Sequence, residues 1–257
     1  IAIFIAFIIS IFLLDEFSDL VIFIGIGSAL IFFIGLIDDV IGISPTIKLL
    51  TQIIIAVGAY IFGFQFFSLA PDYISFPLTI LWIVGIINAM NLLDNMDGLS
   101  AGISAIIALI ISISGFISND LFIMQFALII TAICLGFLIF NFHPAKIFMG
   151  DSGSMFLGFV LATLSLYSLN YRSTNLAVSI FLPVMIMGVP IMDTMLVTIN
   201  RLLHNRKVSQ GGTDHTSHRL VHLGLTEKKA VLFIYMICFG IGISSLVLQI
   251  LNIQIWL

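Results

Sequence analysis

Charged residues are scarce in this sequence: they make up 9% of its 257 residues, whereas hydrophobic residues make up 61%. A soluble domain would carry about a quarter charged residues, so the composition excludes an ordinary water-soluble fold. The few basic residues form no stripe that could hold a nucleic acid, which excludes that class of partner. The only two cysteines, Cys134 and Cys238, lie in separate apolar runs and therefore predict buried thiols rather than a disulfide.

A cleaved secretory signal is also absent from the start of the sequence. The chain begins at Ile1 inside an apolar run, with no basic residues before that run and no small-residue cleavage site after it. We therefore expect the natural protein to have further residues before Ile1.

Long apolar runs dominate the sequence. Runs of roughly 17 to 25 residues alternate with short polar stretches, and each is long enough to cross about 30 Å of hydrocarbon. The predicted fold class is all-α, a polytopic transmembrane helix bundle with about nine spans. The predicted spans are 1–14, 20–37, 46–63, 77–93, 98–117, 121–140, 153–169, 176–199 and 230–254.

The distribution of basic residues predicts an orientation. If the nine spans alternate, eight of the nine lysines and arginines fall on one side of the membrane, and only Arg172 falls on the other. An excess of this kind marks the cytoplasmic side. The same alternation brings to that side Asp38, Asp39, Asp94, Asp97, Asp151, His215 and His218.

A polar residue recurs at every third position where the predicted span 77–93 ends. On a helix, steps of three residues drift by about 60° each, so these side chains fan across one half of the cylinder. Burying them is costly without partners, and a helix cap needs only one such residue. The pattern therefore predicts a functional polar cluster, formed by Asn88, Asn91, Asp94 and Asp97.

Asp38 and Asp39 are adjacent carboxylates at the end of another predicted span. They repel each other unless a cation or a proton intervenes. Lys48 and Gln52 follow four residues apart, on one face of the next predicted helix. A solvated helix end with a snorkelling lysine is an equal alternative for this pair. A prenyl-diphosphate synthase motif is excluded, because Gly42 stands where it needs a third Asp.

The stretch FNFHPAKIFMGDSGS connects two further predicted spans. In it, Asn141 and His143 leave one span, and Asp151 stands between glycine and serine at the start of the next. An Asp at a helix start suits an N-cap. It equally suits a carboxylate that holds a metal-bound diphosphate near free backbone N–H groups. The sequence leaves both interpretations open.

The longest polar stretch, 200–229, carries His215 and His218 with Arg219 beside them. Zinc is disfavoured, because the stretch has no cysteine ligands and no HExxH pattern. A loop that is merely positive on the cytoplasmic side would explain the arginines but not the histidines. We therefore predict an anion clamp. Asp193, inside the predicted span 176–199, is a functional candidate by its depth, without an assignable role.

Electrostatics connects these segments. Unit charges about 4 Å apart at an effective dielectric constant of about 20 repel by about 4 kcal/mol, so the predicted cluster of carboxylates needs a counter-charge. Oxygen ligands favour a hard cation, and Mg²⁺ typically takes one or two carboxylates together with substrate phosphates. The sequence predicts phosphoryl transfer at a membrane surface. A cation-coupled membrane transporter is the alternative from another class, and Asp193 is the feature that favours it.

Four stretches, in this order, resemble the polyprenyl-phosphate N-acetylhexosamine-1-phosphate transferase family: DDVIGISPTIKLLTQ, NAMNLLDNMDGL, FNFHPAKIFMGDSGSMFLG, and PIMDTMLVTINRL with DHTSHRL. The resemblance implies transfer of a sugar-1-phosphate, GlcNAc-1-phosphate, from a UDP-amino-sugar to undecaprenyl phosphate, with release of UMP, for cell-envelope polysaccharide synthesis. It implies Mg²⁺ as cofactor, with Mn²⁺ as a substitute, and an active site on the cytoplasmic face of the bacterial inner membrane. The lipid I synthase branch is the alternative within the family, and a homodimer is left open.

The resemblance also implies a role for each matching residue. Asp38 would take the proton from the lipid phosphate, with Asp39 and Lys48 shaping its pocket. Asp151 and Asn91 would hold Mg²⁺. The residues implied to bind substrate are Asn88, Asp94, Asp97, Asn141, Phe148, His215, His218 and Arg219. Among them, Asp94, Asp97, Asn141 and Phe148 match positions that line the family's nucleotide and diphosphate site, and the last three of the eight match its histidine loop near the sugar and phosphates.

The chain departs from the family at two points. Ser217 stands at the third place of the family's His-x-His-His pattern. Members of the family have about eleven spans, so we expect residues 1–257 to be a single integral membrane transferase domain that lacks its N-terminal span or spans.

Overall fold

The computed structural model describes residues 1–14, 18–170, 176–206 and 212–255, and no strand occurs among them. Arg172 and Lys207, which entered the charge count, lie outside these residues. The all-α prediction is therefore confirmed for the described part of the chain. Its helices are α1 (Ala2–Leu14), α2 (Asp19–Ile41), α3 (Pro45–Ile61), α4 (Asp72–Leu93), α5 (Leu99–Ile117), α6 (Leu121–Asn141), α7 (Gly150–Asn170), α8 (Leu176–Ile186), α9 (Gly188–Leu203), α10 (Thr216–His222) and α11 (Glu227–Ile255).

Fewer helices than the nine predicted spans are long and apolar enough to be membrane spans among the described residues. Among the described residues, five helices are long and apolar enough to cross a membrane: α2, α4, α5, α6 and α11. The pair α8 and α9, bent by 78° at a short break, raises this number to six if it is counted as one span. Every predicted span contains helix, but α1 has only 13 residues and α3 only 17. At about 1.5 Å per residue both are short for a bilayer, so nine spans are not confirmed.

The outside of the bundle is apolar. Large side chains such as Ile5, Phe33, Leu81, Leu135 and Met236 are exposed on its surface. A soluble protein rarely exposes apolar surface on this scale. Helices satisfy their own backbone hydrogen bonds and can therefore present such a surface to lipid. The chain is a multi-pass membrane protein.

Helix α7 lies at the centre of the bundle, where it packs against α2 and α4. A Cβ atom on Gly35 of α2 would lie 2.5 Å from the Cα atom of Ser152. A Cβ atom on Gly158 of α7 would lie 2.8 Å from the Cα atom of Ile87 in α4. Small residues allow membrane helices to approach with their backbones in contact. The contact at Gly35 brings the end of α2 against the start of α7.

These glycine contacts generate a stability prediction. We expect Gly35→Ala and Gly158→Ala each to destabilise the protein by about 1–3 kcal/mol, because the added methyl group would overlap backbone atoms. The matched control is Gly85→Ala on α4, where an added Cβ would have no neighbour within 4 Å. Thermal unfolding in detergent micelles measures the difference. Equal stability of the three variants would contradict the packing described here.

Candidate active site

Lys48 joins carboxylates from two different helices. Its Nζ atom lies 2.7 Å from Oδ2 of Asp38, near the end of α2, and 3.0 Å from Oδ2 of Asp151, in the first turn of α7. The other oxygen of Asp38, Oδ1, accepts a hydrogen bond from the backbone N–H of Ile43 at 2.8 Å. Lys48 therefore lies against Asp38, and the catalytic roles implied for the two residues stay predictions. All three side chains remain partly exposed, so they are accessible to a substrate.

Asp39 caps the N-terminus of α7. Its Oδ1 and Oδ2 atoms accept hydrogen bonds from the backbone N–H groups of Asp151 at 2.8 Å and Ser152 at 3.1 Å. A carboxylate is favourable at this end of a helix, where N–H groups lack partners in the helix. Gly150 has φ +68°, and a Cβ atom there would lie 2.7 Å from Asp39 Oδ2, so the cap requires glycine.

This cap argues against the N-cap interpretation of Asp151, and its interpretation as a metal ligand stays a prediction. The N-cap role belongs to Asp39, which leaves the carboxylate of Asp151 to contact Lys48 and other side chains. Both oxygens of Asp39 are bound to the backbone, an arrangement that suits positioning. The assignment of Asp39 to the catalytic group stays a prediction.

The two asparagines of α4 make different contacts. Asn91 lies beside α7: its Nδ2 atom donates to Ser154 Oγ at 3.0 Å, and its side chain also hydrogen-bonds Asp151. The predicted metal-binding pair, Asn91 and Asp151, is thus brought together. Asn88 instead donates to Oε1 of the buried Gln52 at 2.7 Å and so links α4 to α3. Its role in substrate binding stays a prediction.

A cavity of about 230 Å³ opens beside these groups. Its lining includes all four residues that the sequence assigned to the nucleotide and diphosphate site, namely Asp94, Asp97, Asn141 and Phe148. Asn95, Met96 and Met149 complete the lining. The ring of Phe148 is 78% exposed and is therefore free to stack against a planar group.

Internal hydrogen bonds fix the rim of this cavity. Asn141 is buried, accepts from the backbone N–H of Gly98 at 3.2 Å, and donates to the carbonyl of Ile147 at 2.9 Å. Asp97 Oδ2 accepts from the backbone N–H of Ala145 at 3.0 Å and lies 3.1 Å from His143 Nδ1. Asn141 and Asp97 therefore join the start of α5 to the loop that precedes α7. Their contact with a substrate stays a prediction.

Asp94 holds a proton more tightly than an ordinary carboxyl group. Burial, followed by the negative charges of Asp151, Asp39 and Asp97, raises the pKa of Asp94 to about 7. Both effects penalise the ionised form. A nearby cation would have the opposite effect and would lower the pKa of Asp94.

The histidine segment is anchored to α9. Nδ1 of His215 lies 2.8 Å from Oδ2 of Asp193, and both side chains are 4% exposed. The other oxygen of Asp193 accepts from the backbone N–H of Thr216 at 2.7 Å. Arg201, further along α9, forms two hydrogen bonds of 2.9 Å with Asp214. Hydrogen bonding to Arg201 is the main reason why the pKa of Asp214 falls to about 2.

The same segment reaches the cavity through α10. Ser217 Oγ donates to Oδ1 of Asn95, a cavity residue, at 2.6 Å. The rings of His215 and His218 lie 6.4 Å apart. Burial, and then the neighbouring His215, lower the pKa of His218. Arg219 donates through Nε to the carbonyl of Asp214 at 3.0 Å. The predicted histidine cluster thus lies next to the predicted nucleotide site.

Three of these anchoring residues were not assigned by sequence reasoning. Asn95 and Ser217 carry no signal in a single sequence, because their hydrogen bond joins residues that are far apart in the chain. Asp193 did carry a signal, its depth in an apolar run, but its partner could not be found without the structure.

The donor set fits Mg²⁺ together with a substrate. Within the described residues, no group of three His, Cys, Asp or Glu side chains forms a ready-made metal site. Mg²⁺ does not require one, since it usually takes one or two carboxylates and completes its shell with phosphates and water. Asp151 and Asn91 offer oxygen ligands, and the charges of Asp151, Asp39 and Asp97 add to burial in raising the pKa of the neighbouring Asp94.

Two relatives are named as transferases that act on a polyprenyl phosphate. The chain is 41% identical, over 91% of its length and 67% of the relative, to the probable undecaprenyl-phosphate N-acetylglucosaminyl 1-phosphate transferase of Bacillus subtilis (strain 168). It is 35% identical, over 84% of its length and 61% of the relative, to the decaprenyl-phosphate N-acetylglucosaminephosphotransferase of Mycolicibacterium smegmatis.

A third relative has another named activity. Over 64% of the chain and 55% of the relative, the identity is 34% to the phospho-N-acetylmuramoyl-pentapeptide-transferase of Halalkalibacterium halodurans. The chain therefore spans about two thirds or less of the length of these curated relatives. The family model described as Glycosyl transferase family 4 matches residues 21–169, which include Asp38, Lys48, Asp94 and Asp151. Since this match covers more than half of the sequence, the chain belongs to glycosyl transferase family 4.

Proposed function

We propose that the protein containing this chain transfers a sugar-1-phosphate from a UDP-amino-sugar to a polyprenyl phosphate and releases UMP. The proposed donor is UDP-GlcNAc, the acceptor is undecaprenyl phosphate, and the cofactor is Mg²⁺, for which Mn²⁺ can substitute. The site would lie on the cytoplasmic face of the bacterial inner membrane, and its product would serve cell-envelope polysaccharide synthesis. A homodimer stays a prediction.

The observation that carries the proposal is the contact of Lys48 with both Asp38 and Asp151. Asp38, the predicted base, and Asp151, the predicted metal ligand, therefore lie in one cluster. The cavity lined by Asp94 and Asp97 adjoins this cluster, because the charges of Asp151 and Asp39 act on Asp94. Two phosphorylated substrates can therefore meet between a base, a cation and a nucleotide cavity.

The residues suggest how the reaction proceeds. Lys48 and the Ile43 N–H group stabilise Asp38 as a carboxylate, which can accept the proton of the lipid phosphate. The freed phosphate oxygen would attack the phosphorus that carries the sugar, the bond to the UMP phosphate would break, and UMP would leave. Mg²⁺, held by Asp151 and Asn91, would neutralise charge on the diphosphate. Phe148 offers a ring for stacking of the uracil base.

Alignment with the relatives favours GlcNAc as the sugar. The GlcNAc-type relative of Bacillus subtilis aligns over 91% of the chain at 41% identity, whereas the pentapeptide-transferase relative aligns over 64% at 34%. The lipid I synthase type is therefore the second candidate. A cation-coupled transporter loses its main support, because Asp193 is bound to the histidine segment by both of its oxygens.

An activity assay tests the proposal. Membranes containing the full-length protein, UDP-GlcNAc, undecaprenyl phosphate and Mg²⁺ should release UMP and form a labelled lipid. We expect Asp38→Asn and Asp151→Asn each to lower kcat by at least about 10²-fold, since the first removes the base and the second a metal ligand. Asp120→Asn is the matched control. Asp120 caps the N-terminus of α6, at the end of that helix opposite to the cavity residue Asn141, and Asn caps a helix equally well. Near-normal rates in both site variants would refute the assigned roles, and no product from any UDP-amino-sugar would refute the function.

Asp94 generates a prediction about metal binding. Because its pKa is raised from 3.8 to about 7, the folded protein keeps a proton between these pH values that the unfolded chain has released. The site is therefore stabilised at low pH and loses that contribution as the pH rises through about 7. A bound cation favours the ionised form, so Mg²⁺ binding near pH 7 should release protons. Calorimetry in two buffers of different ionisation enthalpy measures this release. We expect Asp94→Asn to abolish most of it; an unchanged release would contradict this account of Asp94.

A further inference from the structure

The pair formed by Asp193 and His215 joins the broken helix to the predicted anion clamp. Asp193 lies in α9, just after the 78° bend between α8 and α9, and His215 is the residue before α10. The two side chains are almost completely buried, and 2.8 Å separates Oδ2 of Asp193 from Nδ1 of His215. An acidic residue at this depth needs a partner, and the histidine ring is that partner.

The geometry fixes which ring nitrogen carries a proton. An ionised carboxylate can only accept hydrogen bonds, so Nδ1 of His215 must donate to Asp193. Oδ1 of Asp193 accepts from the backbone N–H of Thr216, which fixes the orientation of the carboxylate. No partner of Nε2 is found within the described part of the chain. A proton bound at Nε2 would make the ring a cation whose hydrogen-bond partner is the carboxylate of Asp193.

We infer that Asp193 is a positioning residue that keeps His215 protonated on Nδ1, so that the ring can act as a cation toward the phosphates of a nucleotide-sugar. This inference rests on the proposed function for the identity of the ligand, but the state of the ring can be tested without it. Ser217, which donates to Asn95 at the cavity, and the contact between Arg201 and Asp214 hold the same segment on either side of His215.

A merely structural role for Asp193 makes a different prediction. In Asp193→Asn, the amide oxygen can still accept from Thr216, and the amide nitrogen can still hydrogen-bond the ring. Both contacts are kept, so a scaffold would tolerate the change. The ring must then accept a hydrogen bond at Nδ1 from the side-chain amide and carry its own proton on Nε2. The hydrogen bond is kept, but a ring that accepts at Nδ1 is not a cation.

Nitrogen-15 NMR of the full-length protein with labelled histidine tests the ring directly. The signals of His215 are identified by their loss in His215→Gln. We expect a protonated Nδ1 in the unmodified protein between about pH 6 and pH 9, and a transfer of that proton to Nε2 in Asp193→Asn at the upper end of this range. An unprotonated Nδ1 in the unmodified protein overturns the inference, even if the variant does not fold.

Kinetics then test whether the ring matters for the reaction. With UDP-GlcNAc and undecaprenyl phosphate, we expect Asp193→Asn to lower kcat/KM by about 10- to 100-fold while the unfolding temperature changes little. Asp120→Asn is the control and should match the unmodified protein in both measurements. Normal kcat/KM in Asp193→Asn with a transferred proton overturns the functional part of the inference. If the unmodified full-length protein makes no product, but its Nδ1 is protonated and the proton moves to Nε2 in Asp193→Asn, the proposed function fails and the positioning of His215 stands.

Discussion

The site depends on one constraint, the backbone contact between α2 and α7 at Gly35. Because no side chain separates the two helices there, Asp39 reaches the N-terminus of α7 and accepts hydrogen bonds from two of its backbone N–H groups. That cap in turn brings Asp38 and Asp151 close enough for Lys48 to contact both. A larger residue at position 35 would move these acidic groups apart. Packing within the membrane thus sets the geometry of the polar groups at its surface.

The carboxylates that this packing brings together repel each other. Lys48 is the cation that contacts two of them, and Asp94 still retains its proton up to a pH of about 7. Under the proposed function, a hard cation would relieve this repulsion and bind the phosphates of the substrates. The histidine segment contacts the cavity residue Asn95 through Ser217. In the proposed function, the substrates would lie between these acidic groups and the histidine segment.

Much of this site could be predicted from the sequence. The alternation of apolar runs predicted that the acidic residues lie at one end of the bundle. The three-residue spacing of Asn91, Asp94 and Asp97 predicted a polar cluster. Asp94, Asp97, Asn141 and Phe148 do line one cavity. Nine spans are not confirmed, because an apolar run shows hydrophobicity but not helix length: α1 and α3 are short, and the run 176–199 is broken by a bend between α8 and α9. The partners of Asp39, Asp193 and Ser217 could not be predicted, since each pair is created by tertiary packing between distant segments.

Lys48 couples acidic residues of α2 and α7 that are far apart in the sequence. A double-mutant cycle of Lys48→Met and Asp151→Asn, measured as the free energy of unfolding in detergent, tests it most directly. The account predicts that the two substitutions are non-additive, with an interaction energy of about 0.5–3 kcal/mol. Additivity within about 0.5 kcal/mol would show that the two residues do not interact and would contradict the account.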